Sequence, residues 1–295
     1  MGPMFHAAPP SLIAPAFFAG LLAATALAGP HAAAAEAAPD GAAMVDGAAR
    51  VSLIDGWRAP DGRVVAAISV RLAPGWHTYW RNPGDVGMPP SFDWGGSENL
   101  AGVAIDWPRP KLFEAFGDRS IGYDGDLVLP ITLTPRDPSR PVDLSLDLAI
   151  GVCSDVCVPD QAKLSARFGP RPSDPDPAPI RAALADRPRT AAEAGVAEVT
   201  CDLAQGPDGL EMTATVTFDG PAKPGQMAVI ESSQPGLWIG APEARSRGRS
   251  LVARAPVEAK SAAIDRGDLR LTLVGDDDAI DIRGCGSARR ASAAR

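Results

Sequence analysis

The chain has 295 residues and a formal net charge of −8, with 28 Lys and Arg against 36 Asp and Glu. An acidic chain without a Lys/Arg cluster is a poor match for phosphate backbones, which excludes nucleic-acid binding as its main role. After the N-terminal segment no stretch approaches the roughly 18 apolar residues that a spanning helix needs, so no membrane insertion of the mature chain is expected.

Residues 1–35 contain no Lys, Arg, Asp or Glu and are almost wholly apolar or small from Leu12 to Ala28. Ala32 to Ala35 place small residues at both recognition positions of a signal peptidase, which predicts a signal peptide cleaved after Ala35 and a periplasmic product. No cysteine follows the apolar run, so no lipid anchor is expected.

Period-two alternation begins near residue 50. Arg63 to Leu72, Leu127 to Thr134 and Val142 to Ile150 each set apolar residues on alternate positions, the mark of half-buried strands. In the last run Leu144, Leu146, Leu148 and Ile150 point one way while Asp143, Ser145 and Asp147 point the other. Clusters such as NPGDVGMPP at 82–90 punctuate the strands as turns. An all-β sandwich over residues 40–168 follows. Proline at 170, 172, 175 and 177 makes 169–190 a linker, with one short helix over Ile180 to Asp186. A second alternating set runs from Val199 through Phe218, Met227 to Glu231, Leu251 to Ala253 and Leu269 to Val274 to Ile282. The expected architecture is therefore all-β, two sandwich domains in tandem, the second over 191–286, with a disordered tail at 287–295.

Four cysteines, Cys153, Cys157, Cys201 and Cys285, give an even count that favours disulfides in an oxidising compartment. Of the three pairings that four cysteines allow, spacing favours Cys153 with Cys157 and Cys201 with Cys285, with two free thiols as the alternative for the latter. The second pair brackets the second domain and reads as a structural disulfide, with a loop of about 85 residues worth roughly 4 to 5 kcal/mol in the chain-entropy model. The first pair lies in the loop of a hairpin, where so small a ring stabilises weakly, and exposed or strained disulfides are the exchange-active ones. A stapling role for it stays open.

Zinc is not expected, because the spacing is Cys-x3-Cys and His77 is the only histidine beyond residue 35. Two thiolates could still carry Cu(I), a soft ion. Asp155 and Asp160 disfavour the thiolates if close in space, and Lys163 and Arg167 are the nearest cations in sequence. Cysteine-protease chemistry needs a Cys–His pair and a serine triad would rest on the same lone histidine, so both are set aside. Trp76, His77, Tyr79, Trp80 and Arg81 read as core and turn packing. No cofactor is called for.

Three blocks, PGWHTYWRNPGDVGMPPSFDW at 74–94, FEAFGDRSIGYDGDLVLPITL at 113–133 and GVCSDVCVP at 151–159, resemble in order the N-terminal periplasmic domain of the thiol:disulfide interchange protein DsbD, in its ScsB-like variant. The second β-domain resembles the additional sandwich of the ScsB-like proteins. The resemblance implies an immunoglobulin-like fold with a disulfide-bearing hairpin that passes reducing equivalents from a membrane electron-transfer protein and thioredoxin-like proteins to periplasmic partners. It implies Cys157 as the cysteine that forms mixed disulfides, Cys153 as its resolving partner and Phe116 as an aromatic cap. Two departures stand out: DsbD spaces its cysteines further apart, and this chain carries neither transmembrane helices nor a CxxC thioredoxin domain. The expected donor therefore acts in trans.

Overall fold

Alternating apolar residues become antiparallel strands along most of the chain. The computed structural model describes residues 43–45, 47–84, 86–115, 118–171, 177–207, 209–259 and 264–286. The expected signal peptide, the cap candidate Phe116 and the tail from 287 lie outside them.

In chain order the first half holds β1 Ala43–Val45, β2 Ala49–Arg58, β3 Val64–Leu72, β4 His77–Gly84, β5 Ser91–Asp93, β6 Leu100–Ile105, β7 Lys111–Ala115, β8 Asp118–Asp124, β9 Asp126–Pro135, β10 Val142–Cys153 and β11 Cys157–Phe168. Helix α1 Ala178–Ala185 follows, and the second half holds β12 Arg189–Thr190, β13 Val196–Gly206, β14 Gly209–Phe218, β15 Met227–Glu231, β16 Leu237–Ile239, β17 Glu243–Arg247, β18 Ser250–Ala259, β19 Arg270–Val274 and β20 Ala279–Arg283.

Sheet β1-β2-β3-β9-β6 faces sheet β11-β10-β4-β8-β7, which also carries β5, and one apolar core lies between them. Sheets β12-β20-β19-β15 and β13-β14-β18-β16, the latter with β17 on β18, enclose the second core. The molecule is thus all-β, built of immunoglobulin-like sandwiches.

Burial follows the alternation. In β10, Val142, Leu144, Leu146, Leu148 and Ile150 are buried while the residues between them are more open. The pattern breaks at the strand's end, where Gly151, Val152 and Cys153 are all buried, so both faces of the sheet are covered there. The turn expected at 82–90 starts later than its composition suggests. β4 runs on through Asn82 and Pro83, and its ladder with β8 is interrupted between Tyr79 and Gly84. Proline has no N–H to donate, and a strand accepts it where the ladder is already broken.

β15 is buried continuously from Met227 to Ile230, the signature of a strand covered on both faces. One face joins the second core; Met227, Val229 and Val274 from the other belong to the first. Polar contacts reinforce this seam. The Arg81 guanidinium grips Glu231 at 2.8–3.2 Å and reaches Thr272 Oγ1 at 3.3 Å, and Arg119 Nη2 donates to Gly225 O at 2.7 Å. Ile180 of α1 is wholly buried, with its tip near Gly56 of β2.

Candidate functional site

Cys153 ends β10 and Cys157 begins β11, and the register sets them directly opposite one another. Their Cα atoms stand 4.1 Å apart and their sulfurs are joined. Ser154, Asp155 and Val156 make the tip, closed by a hydrogen bond from Ser154 N–H to Val156 O at 3.2 Å. The pair is asymmetric: Cys153 is 1% exposed, whereas Cys157 faces solvent.

Alternation explains the cover over Cys153. Cys153 shares its face with Asp143, Asp147 and Gly151, the outer face of the sheet, so the sandwich core is not what buries it. Its cover comes from β4 and the segment after it. The Tyr79 hydroxyl lies 2.9 Å from Cys153 Sγ and 3.3 Å from Cys157 Sγ, spanning the disulfide. Two glycines make room for the ring. A Cβ on Gly87 (φ +120°) would sit 2.5 Å from Tyr79 Cε1, and one on Gly151 would sit 2.8 Å from Met88 Cβ and 3.2 Å from the ring. Burial raises the Tyr79 phenol above its ordinary value, so it stays protonated and donates to sulfur.

His77 lies two residues before Tyr79 on the same face. It pairs with Cys153 across β10 and with Asp124 across β8, so Cys157, Cys153, His77 and Asp124 form one row across four strands. Its ring stacks on Phe113 at 4.9 Å and meets Tyr79 edge-on at 5.5 Å. Burial lowers the imidazole below its ordinary value, opposed by the charge of Asp124, whose carboxylate binds Lys111 Nζ at 2.5 Å.

The cations nearest in sequence do not serve the sulfurs. Lys163 is paired with Asp147 and Arg167 with Asp143, each at 2.8 Å further down the hairpin. Val156, 68% exposed, projects from the tip, and Val86 and Met88 add exposed apolar surface beside the Tyr79 ring. Among the described residues no group of three or more His, Cys, Asp or Glu is placed to hold a metal ion.

The other two cysteines are also joined, with Cα atoms 5.6 Å apart. Cys201 sits in β13 inside the second core, and Cys285 follows β20. Backbone bonds run beside the bridge from Cys201 N–H to Gly286 O at 2.9 Å and from Gly286 N–H to Val199 O at 3.0 Å.

Sequence reasoning brought the cysteines together but passed over Tyr79 and His77 as packing residues. The available signal was their i, i+2 spacing in WHTYW, which puts both on one face of a strand. That this strand lies beside the cysteine hairpin depends on long-range register, which local pattern does not carry.

An immunoglobulin-like sandwich with a disulfide at the tip of a hairpin, an aromatic hydroxyl laid across it and one sulfur open to solvent defines a disulfide-bearing β-domain. Residues 49–168 match the family described as thiol:disulfide interchange protein DsbD, N-terminal. This part of the chain is a DsbD-like N-terminal domain. The fold also resembles the crystal structure of the N-terminal periplasmic domain of ScsB from Proteus mirabilis, with a TM-score of 0.56 and 23% identity over 81% of this chain and 93% of that one. Among curated proteins none matches the chain.

Proposed function

We propose that this chain is a periplasmic thiol:disulfide exchange protein, with Cys157 as the attacking and attacked sulfur and Cys153 as its resolving partner. The observation that carries the reading is the asymmetry of the pair: a partner can reach Cys157, while Cys153 lies beneath Tyr79. In the reducing direction the Cys157 thiolate attacks a partner disulfide, one partner sulfur leaves, and Cys153 then displaces the second while the pair closes. The apolar residues Val156, Val86 and Met88 supply a surface on which a partner's own cysteine region can dock. Partners of this chemistry are thioredoxin-like proteins and a membrane electron-transfer protein. The periplasmic setting draws support from the N-terminal apolar segment and from likeness to a domain described as periplasmic. No helix among the described residues is long and apolar enough to cross a membrane.

The test is exchange between the reduced chain and oxidised thioredoxin. Cys153→Ser should accumulate a mixed disulfide through Cys157, and Cys157→Ser should abolish exchange. Exchange at the wild-type rate by Cys157→Ser would end the proposal, and a reduction potential below about −300 mV would mark the pair as a staple instead.

A further inference from the structure

Resolution of the mixed disulfide requires buried Cys153 to become a thiolate. A buried thiol resists ionisation, because losing its proton leaves a charge in a poorly solvated place. The cations nearest in sequence are engaged with Asp147 and Asp143, so the compensating charge must come from elsewhere.

The row Cys157, Cys153, His77, Asp124 supplies a titratable candidate. Directly opposed residues of antiparallel strands carry their Cβ atoms about 4.5–5.5 Å apart on the same face, close enough for opposite charges to couple. The groups facing His77 are Cys153 of β10, Tyr79 on its own strand, Asp124 from β8, and Lys111 from β7, which is tied to Asp124; Cys157 stands one strand further along the row. Phe113 backs the ring and fixes its plane.

We propose that His77 is the ionisable partner of the cysteine pair: its imidazole takes up a proton as Cys153 becomes the attacking thiolate, and Asp124 on the far side stabilises the imidazolium. The inference rests on the exchange reading above. In the disulfide form the imidazole is held neutral by burial, ready to accept a proton. During reduction of a partner, Cys157 thiolate attacks the partner's S–S bond and expels one thiolate, forming the Cys157 mixed disulfide. Cys153 loses its proton as His77 takes one up, Cys153 attacks Cys157 Sγ, and the second partner thiolate leaves. Two electrons move to the partner, and the protons of the dithiol end on the two partner thiols, the one on His77 being released last.

Coupling is reciprocal, so it can be read from either group. Nuclear magnetic resonance titration of the His77 ring in the oxidised and reduced wild-type chain should give a higher imidazole midpoint in the reduced form. Iodoacetamide alkylation of the reduced chain against pH, with Cys153 and Cys157 resolved by peptide mass, should show the Cys153 thiolate midpoint rising by about one unit or more in His77→Phe. Phenylalanine keeps the stack on Phe113 and the edge contact with Tyr79, so a merely structural role predicts no change in that profile. Equal imidazole midpoints in the two oxidation states, or superimposed alkylation profiles, would overturn the assignment. Both readouts need no partner protein. Failure to exchange with thioredoxin would therefore count against the exchange reading alone, and normal exchange with an unaltered Cys153 titration against His77 alone.

Discussion

Cys201–Cys285 spans 84 positions and ties the first long strand of its sandwich to the residues after the last, with Cys201 2% exposed inside the core. Cys153–Cys157 spans four, closes only a hairpin tip, and turns one sulfur to solvent beneath an aromatic hydroxyl. The same covalent bond therefore has different consequences. The long loop removes many conformations from the unfolded chain and keeps Cys201 buried with Cys285 half-buried; the short one removes few and leaves Cys157 exposed. Loop length and exposure, not the presence of the bond, separate a stabilising bridge from a chemical one.

The largest effect expected from breaking this comparison is on stability. Replacing Cys201 and Cys285 together by alanine should cost about 4–5 kcal/mol in the chain-entropy model, against about 2 kcal/mol for the Cys153 and Cys157 double replacement. Urea unfolding measured on both checks it; equal losses would mean that loop length does not distinguish the bridges. Exchange activity should follow the opposite order, surviving the first replacement and vanishing with the second.

A smaller effect tests the cover over the site. Gly151→Ala places a Cβ 2.8 Å from Met88 Cβ, an atom too near the backbone to swing aside, and 3.2 Å from the Tyr79 ring. Overpacking of this kind costs about 1–3 kcal/mol. The segment after β4 should shift, so Cys153 of the reduced chain should be alkylated faster than in the wild type at the same pH. The corresponding substitution at Gly102 of β6, whose added Cβ meets nothing within 4 Å, should leave alkylation of Cys153 unchanged.

The contrast between the bridges also shows what was legible in the sequence. Alternation in VDLSLDLAI announced β10 and its two faces, and the cysteine spacing announced a hairpin tip, because both are local properties of a strand. Composition read 82–90 as a turn, yet β4 continues to Gly84, because a broken ladder tolerates Pro83. His77 and Tyr79 were visible as residues but not as parts of a site, since their neighbours come from β8, β10 and β11, far along the chain. The double-sided burial of β15 was written as the run MAVI, but which surface covers its second face depends on tertiary packing.

The smallest effect concerns the Tyr79 hydroxyl alone. Tyr79→Phe keeps the ring that covers Cys153 and removes only the donor at 2.9 and 3.3 Å from the sulfurs. A hydrogen bond to a thiolate is stronger than one to a disulfide sulfur, so the hydroxyl favours the reduced pair. Removing it should make the disulfide harder to reduce. A net worth of about 1 kcal/mol corresponds to a potential lower by about 20 mV for this two-electron couple. Because burial raises the phenol's pKa, the hydroxyl remains protonated while the thiols titrate, so the shift should follow thiolate formation and grow as pH rises through the thiol range. A shift that grows or fades near the imidazole range would assign the effect to His77 instead. Equilibration with glutathione buffers at several pH values separates the two, and an unchanged potential in Tyr79→Phe would reduce the tyrosine to a steric lid.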